Sequence, residues 1–179
     1  MIQPGCDPAR DLDLARWRRD YRVRGVTLDQ LQASMALHRP TDEAGMKWDA
    51  VTTWDVRWTY PYVEQERVCQ IGEPEVAVDI SMQLPLWNPP READPAQVED
   101  WRRFIRALET HEEGHAQIAI AAACEVRHVL MDLPAQTHCD ALELSADRVT
   151  QVVIYKYRGQ EASYDSVTGH GETQGALLP

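Results

Sequence analysis

In the stretch TTWDVRWTY, residues 52–60, Trp54, Val56, Trp58 and Tyr60 alternate with Asp55, Arg57 and Thr59. That two-residue period belongs to a strand with one face buried. EVAVDISMQLP, residues 75–85, repeats it with Val76, Val78, Ile80, Met82 and Leu84. RVCQI, residues 67–71, predicts a third, shorter strand between the two, so the middle of the chain reads as an antiparallel sheet joined by charged turns. Upstream, YRVRGV is a strand candidate, and the capping box Thr27-x-x-Gln30 opens a short helix from 28 to about 37 that Pro40 closes.

The period changes after the proline-rich break NPPREADP, where Asp94 can cap a helix and Pro95 can take its first position. Trp101, Phe104, Leu108, His111, His115, Ile118 and Ala122 then follow in steps of three and four, so two histidines interrupt an apolar helical stripe. Pro134 ends this helix. A second runs from 137 to about 157 with Leu142, Val149, Val152 and Val153 inward, and the Gly, Ser and Thr of RGQEASYDSVTGHGETQG predict a closing loop. The fold class is α+β: an antiparallel sheet packed against a long helix and a second helix antiparallel to it. One domain is expected over 1–179, with residues 1–20 as an extension.

Composition leaves this picture standing and removes some functions. The 179 residues, 44% hydrophobic and 26% charged, suit one domain with a real core. The net charge of −11 disfavours nucleic acid and anionic membrane surfaces as partners, and no apolar run approaches the roughly 20 residues of a membrane span. The N-terminus lacks the basic and apolar regions of a secretory signal. Cys6, Cys69, Cys124 and Cys139 contain no Cys-x-x-Cys pair, which argues against a structural zinc knuckle. In an antiparallel hairpin closed tightly at Pro134, Cys124 and Cys139 stand roughly 9 Å apart along the axis, too far to bond.

The chemistry lies in His111-Glu112-Glu113-Gly114-His115, the His-Glu-x-x-His pattern of zinc peptidases. Residues four apart on a helix differ by about 40° around the axis and about 6 Å along it, so both imidazoles can face one ion. Two histidines on a buried stripe would otherwise hide ring nitrogens from water at a cost of a few kcal/mol. Glu112 stands on the neighbouring side, where its carboxylate can reach water at the metal without coordinating it. A catalytic zinc takes three protein ligands and leaves the fourth position open. Glu125 lies roughly 15 Å along the same helix. Packed antiparallel across a short turn, the second helix draws level with the histidines near 154–156, which leaves Glu143, His138 and Asp147 too distant and delivers Tyr164, Asp165 and His170 from the loop. Elimination selects His170 as third ligand. Tyr164 either donates its hydroxyl to an oxyanion or packs in the loop; Asp165 either accepts the second N–H of a ligand histidine or caps a turn.

HEEGHAQIA together with YDSVTGHGETQGALLP, preceded by YRVRGVT, WDVRWTY, RVCQI and VAVDISMQLPLW, resembles the bacterial proteins grouped as domain of unknown function family 922, over about residues 21–179. Members are described as predicted secreted zinc-dependent proteases. The resemblance implies a zincin-like fold with the active-site helix against a sheet, a His ligand within TGHG, and secreted or periplasmic localisation. Because RVCQI and CDALEL are family-like segments, it also implies a Cys69 to Cys139 disulfide in an exported protein. The expected function is a zinc (Zn2+) dependent hydrolase, a metallopeptidase acting on a peptide or protein. His111, His115 and His170 would be ligands, Glu112 the base and Tyr164 a candidate oxyanion donor. The alternative is a non-catalytic binding module stabilised by zinc.

Overall fold

The computed structural model describes residues 5–42, 44–65 and 68–179. In chain order the elements are α1 (Pro8–Asp11), β1 (Asp13–Val23), α2 (Leu28–His38), β2 (Val51–Thr59), β3 (Tyr62–Gln65), β4 (Val68–Ile71), β5 (Glu75–Trp87), α3 (Pro95–Met131) and α4 (Cys139–Thr168), then a 3-10 turn at Glu172–Gln174. The class is mixed α+β. No helix among the described residues is long and apolar enough to cross a membrane. Residues 1–4 and Arg67, on which the N-terminal reading and the start of the RVCQI strand fall, lie outside the described residues.

Local chemistry set the element starts where it was expected to. Thr27 accepts from the Gln30 amide and the Gln30 side chain accepts from the Val26 amide, closing α2 at its N-terminus. Asp94 accepts from Ala96 N at 2.8 Å, with Pro95 at the first position of α3. The sheet is where expectation and structure part. β5 lies between β1 and β2 in a three-stranded sheet, while β4 pairs with β3 in a separate antiparallel ribbon. The RVCQI strand therefore exists in a hairpin of its own, tied by an isolated bridge from Cys69 to Gln136. The third main strand is β1, eleven residues long and exposed along most of its length.

The chain falls into two compact units. The first comprises Met1–Ala15, Trp54–Asp79 and Gln117–Ala162. In it Val78, Ala119, Val126, Leu130, Leu142 and Ala146 are buried, and disulfides join Cys6 to Cys124 and Cys69 to Cys139. Cys69 and Cys139 thus pair as the family resemblance implied, and Cys124 takes Cys6. Glu125 accepts from Lys156 at 2.6 Å and from the Tyr157 hydroxyl at 2.8 Å.

The second unit comprises Arg16–Thr53, Ile80–Ala116 and Ser163–Pro179. Its core is Val23, Leu31, Met35, Leu84, Trp87, Trp101, Phe104 and Leu108. Trp87 and Trp101 meet edge to face at 5.6 Å, and the Trp87 indole donates to Gly25 O at 2.9 Å, so the ring is buried with its polar atom satisfied. Along α3, Trp101, Phe104, Leu108, His111 and His115 are all buried, as their spacing requires.

Helix α4 corrects two expectations. It does not end near 157 but continues through Thr168, and its inner face is Leu142, Ala146, Thr150, Val153 and Tyr157, while Val152 is exposed. Gly159, the residue that suggested a loop, stands where an added Cβ would meet nothing, so a helix absorbs it at about 1 kcal/mol. The interhelical connection, 132–138, is also held away from a tight turn by the Cys69 bridge. That shifts the register: Lys156, expected level with the histidines, meets Glu125 instead.

Candidate metal centre

Because α4 runs on, its last two turns carry Tyr164, Asp165 and Thr168 to the face of α3 that holds His111 and His115. The Nε2 atoms of the two histidines are 3.3 Å apart. Asp165 Oδ1 is 2.9 Å from His115 Nε2 and 3.2 Å from His111 Nε2. Among the described residues these three form the group whose ligand atoms all lie within 4.8 Å of one another. At metal bonds of about 2.0–2.1 Å, the edges of a tetrahedron are about 3.3–3.4 Å long. The triangle has nearly those edges, so the donors fit zinc in type and in spacing. Asp165, read in the sequence as a neighbour of the ligands, completes this three-residue group, and His170, which elimination selected, is not one of the three.

His111 is held from behind. His111 Nδ1 lies 3.0 Å from Gln174 Oε1. An amide oxygen can only accept, so Gln174 favours a proton on Nδ1, the tautomer whose Nε2 lone pair could bind a metal. The Gln174 amide nitrogen donates to the Tyr164 hydroxyl at 3.1 Å, and that hydroxyl donates to His111 O at 3.3 Å. The Tyr164 ring stacks on His111 at 5.0 Å with 10° between planes. Thr168 Oγ1 donates back to Tyr164 O at 2.7 Å, fixing the end of α4.

Glu112 is 3% exposed, and its Oε2 accepts from Thr52 Oγ1 on β2 at 2.6 Å. Burial drives its carboxyl above the ordinary carboxylate range, although Thr52 and the two histidines pull the other way. Asp165 is the opposite case. Burial also acts to raise it, but hydrogen bonds from His111 and His115 and the charges of His115 and His170 outweigh this, and its carboxyl titrates well below the usual range. Two carboxyls of one site are thus shifted in opposite directions.

His170 approaches through Asp165: its Nδ1 is 3.5 Å from Asp165 Oδ1, its ring stacks on Trp48 at 3.7 Å, and its side chain is 43% exposed. The sequence did not single out Thr52, Gln174, Thr168 or Trp48. One signal was present, since 157, 161, 164 and 168 continue the three-and-four spacing of 142, 146, 150 and 153 into the segment read as a loop.

Gly114 explains itself here. A Cβ at this position would overlap the Tyr164 ring and hydroxyl. Gly114→Ala is expected to lower the stability of the metal-free protein by about 1–3 kcal/mol through this overlap, although alanine is the better helix former. Denaturant unfolding checks it, and a midpoint equal to or above wild type would remove Tyr164 from the face of α3.

No curated protein and no solved structure matches the chain. A family model does match, over residues 18–171, a span that takes in His111, Glu112, His115, Tyr164, Asp165 and His170. The family is described as bacterial protein of unknown function (DUF922), and the chain belongs to it.

Proposed function

We propose that this protein is a zinc-dependent hydrolase of the zincin type, cleaving amide bonds in peptides. The observation that carries the reading is the triangle of His111, His115 and Asp165 beside a buried Glu112 on the same helix. Those three residues would hold the metal, and three protein ligands leave a fourth position open, as catalytic zinc sites do. When bound, zinc supplies Lewis acidity toward a carbonyl oxygen and makes water more acidic.

The rest belongs to the chain. Glu112 takes the proton of the attacking water and returns it to the departing amine. Thr52 holds one carboxylate oxygen and leaves the other for this work. Amide cleavage needs both transfers, because an amine leaves only when protonated, and a buried carboxyl beside the ligand histidines is placed to give the proton back. Gln174 keeps the His111 lone pair directed inward. Tyr164 braces Gln174 and the His111 ring. Two disulfides support an exported protein, since such bonds persist in oxidising compartments.

A zinc clamp without catalysis is the competing reading. It needs a fourth protein ligand. His170, whose Nδ1 lies 3.5 Å from Asp165 Oδ1, stands outside the three-residue group. The test is zinc titration followed by a broad peptide panel. Tight binding with hydrolysis that stops on chelation and returns with zinc is the expected result; tight binding without turnover of any peptide would favour the clamp.

A further inference from the structure

We propose that His170 is a catalytic residue of this centre: a ring N–H donor, held at the open edge of the triangle, for the oxygen that gains negative charge when a carbonyl is attacked. This rests on the reading of the triangle as a metal centre.

Position comes first. A fourth vertex of the tetrahedron would lie about 3.3 Å from all three ligand atoms. His170 Nδ1 lies 3.5 Å from one of them, Asp165 Oδ1, and the residue is not part of the group whose atoms are mutually within 4.8 Å. It touches the triangle at Asp165 without belonging to it. Exposure separates the histidines in the same way. The side chains of His111 and His115 are 5% and 9% exposed, as suits residues that hold an ion, and that of His170 is 43% exposed, as suits one that meets an incoming ligand.

The backbone shows that the placement is built. His170 has φ of +52°, between Gly169 at +57° and Gly171 at +89°. Left-handed backbone is disfavoured for a residue with a Cβ, though histidine is among those that adopt it more often, and here two glycines flank it. Its amide donates to Asp165 O at 3.0 Å, which couples the turn to the ligand-bearing helix. Gly171 is close-packed on His111, where a Cβ would come within 3.2 Å of that side chain.

The ring itself is clamped. Trp48 lies against it with 21° between planes, and the Trp48 indole donates to Asp42 Oδ2 at 2.7 Å. Asp42 also accepts from Met46 N at 2.8 Å, so the loop that presents Trp48 is braced. An imidazole stacked on a fixed indole is held with its Nδ1 edge at Asp165. Tyr164, the donor that the sequence suggested, has its hydroxyl engaged with Gln174 and His111 O. His170, by contrast, touches the triangle directly and serves a developing oxyanion.

Inorganic phosphate, a tetrahedral oxyanion, probes this without a substrate. Zinc-loaded wild type and His170→Ala are compared for zinc per chain by elemental analysis and for phosphate affinity by calorimetry. His170→Ala should keep its zinc and bind phosphate about tenfold to a hundredfold more weakly, the range for losing one hydrogen bond to a charged group. Trp48→Ala should weaken phosphate several-fold with zinc retained, and Trp48→Phe should stay near wild type. Loss of zinc from His170→Ala would make His170 a ligand and overturn the proposal. Retained zinc with unchanged phosphate affinity would overturn it too. A wild-type protein that takes up no zinc would remove the metal centre itself, and this assignment with it.

Discussion

Glu112→Gln should abolish nearly all hydrolysis, lowering turnover by about a hundredfold to ten-thousandfold while zinc content stays at the wild-type level. The amide is the same size as the carboxylate and can still accept from Thr52, so the buried surroundings of Glu112 are preserved. What disappears is the ability to take up a proton and return it. The side chain stands beside the triangle and not in it, so the donors of His111, His115 and Asp165 should be untouched. Glu113 supplies the control. Its carboxylate pairs with Arg16 in an exposed salt bridge, and Glu113→Gln should alter activity and stability little. Turnover on the best peptide of a panel, measured with zinc per chain, checks the pair. Loss of zinc from Glu112→Gln would make Glu112 a ligand, and equal losses in both variants would remove its special role.

Asp165→Ala should cost more zinc affinity than any change behind the ligands. Removing an outer partner of a ligand histidine costs about tenfold to a hundredfold, which is the expectation for Gln174→Ala. Removing a ligand atom 2.9 Å and 3.2 Å from both imidazole nitrogens should exceed a hundredfold in competition with a chelator. An Asp165→Ala protein that binds zinc as tightly as wild type would show that another group completes the site. The metal-free protein gives an independent reading. Asp165 titrates below its unfolded value, so its carboxylate contributes stability that is present above the ordinary aspartate range and lost as pH falls toward the folded value. Asp165→Asn should remove that part of the acid sensitivity.

Much of this was legible in the chain. The starts of α2 and α3 are written in Thr27, Gln30, Asp94 and Pro95, because capping is settled within four residues. β2 and β5 show in their alternation because one face of each is buried, and His111 and His115 were visible as polar interruptions of a buried stripe. These signals depend on local backbone geometry and on which side of an element meets the core.

What remained depends on partners far away along the chain. β1 carries Arg19 in the row of Ala15, Trp17, Tyr21 and Val23, which breaks the alternation, yet it is a strand. Its Arg16 and Arg18 meet Glu113 and Glu109 of α3, and those ion pairs have no periodicity to read. β4 has strand character in either sheet, and only pairing placed it beside β3. Cys124 found Cys6 across 118 positions, which no spacing rule specifies.

The centre divides along the same line. By itself the sequence determined an α+β protein with two histidines four apart on a buried helical face and a glutamate between them, since helical geometry alone places those side chains. The tertiary structure decided that Asp165 joins them, that Gln174 and Thr52 steady His111 and Glu112, and that His170 stands at the rim. The physical reason is register. A helix fixes angles among its own residues, but which turn of α4 lies opposite His115 is set by the length and bridging of the 132–138 connection and by how far past Gly159 the helix continues, and both are outcomes of packing.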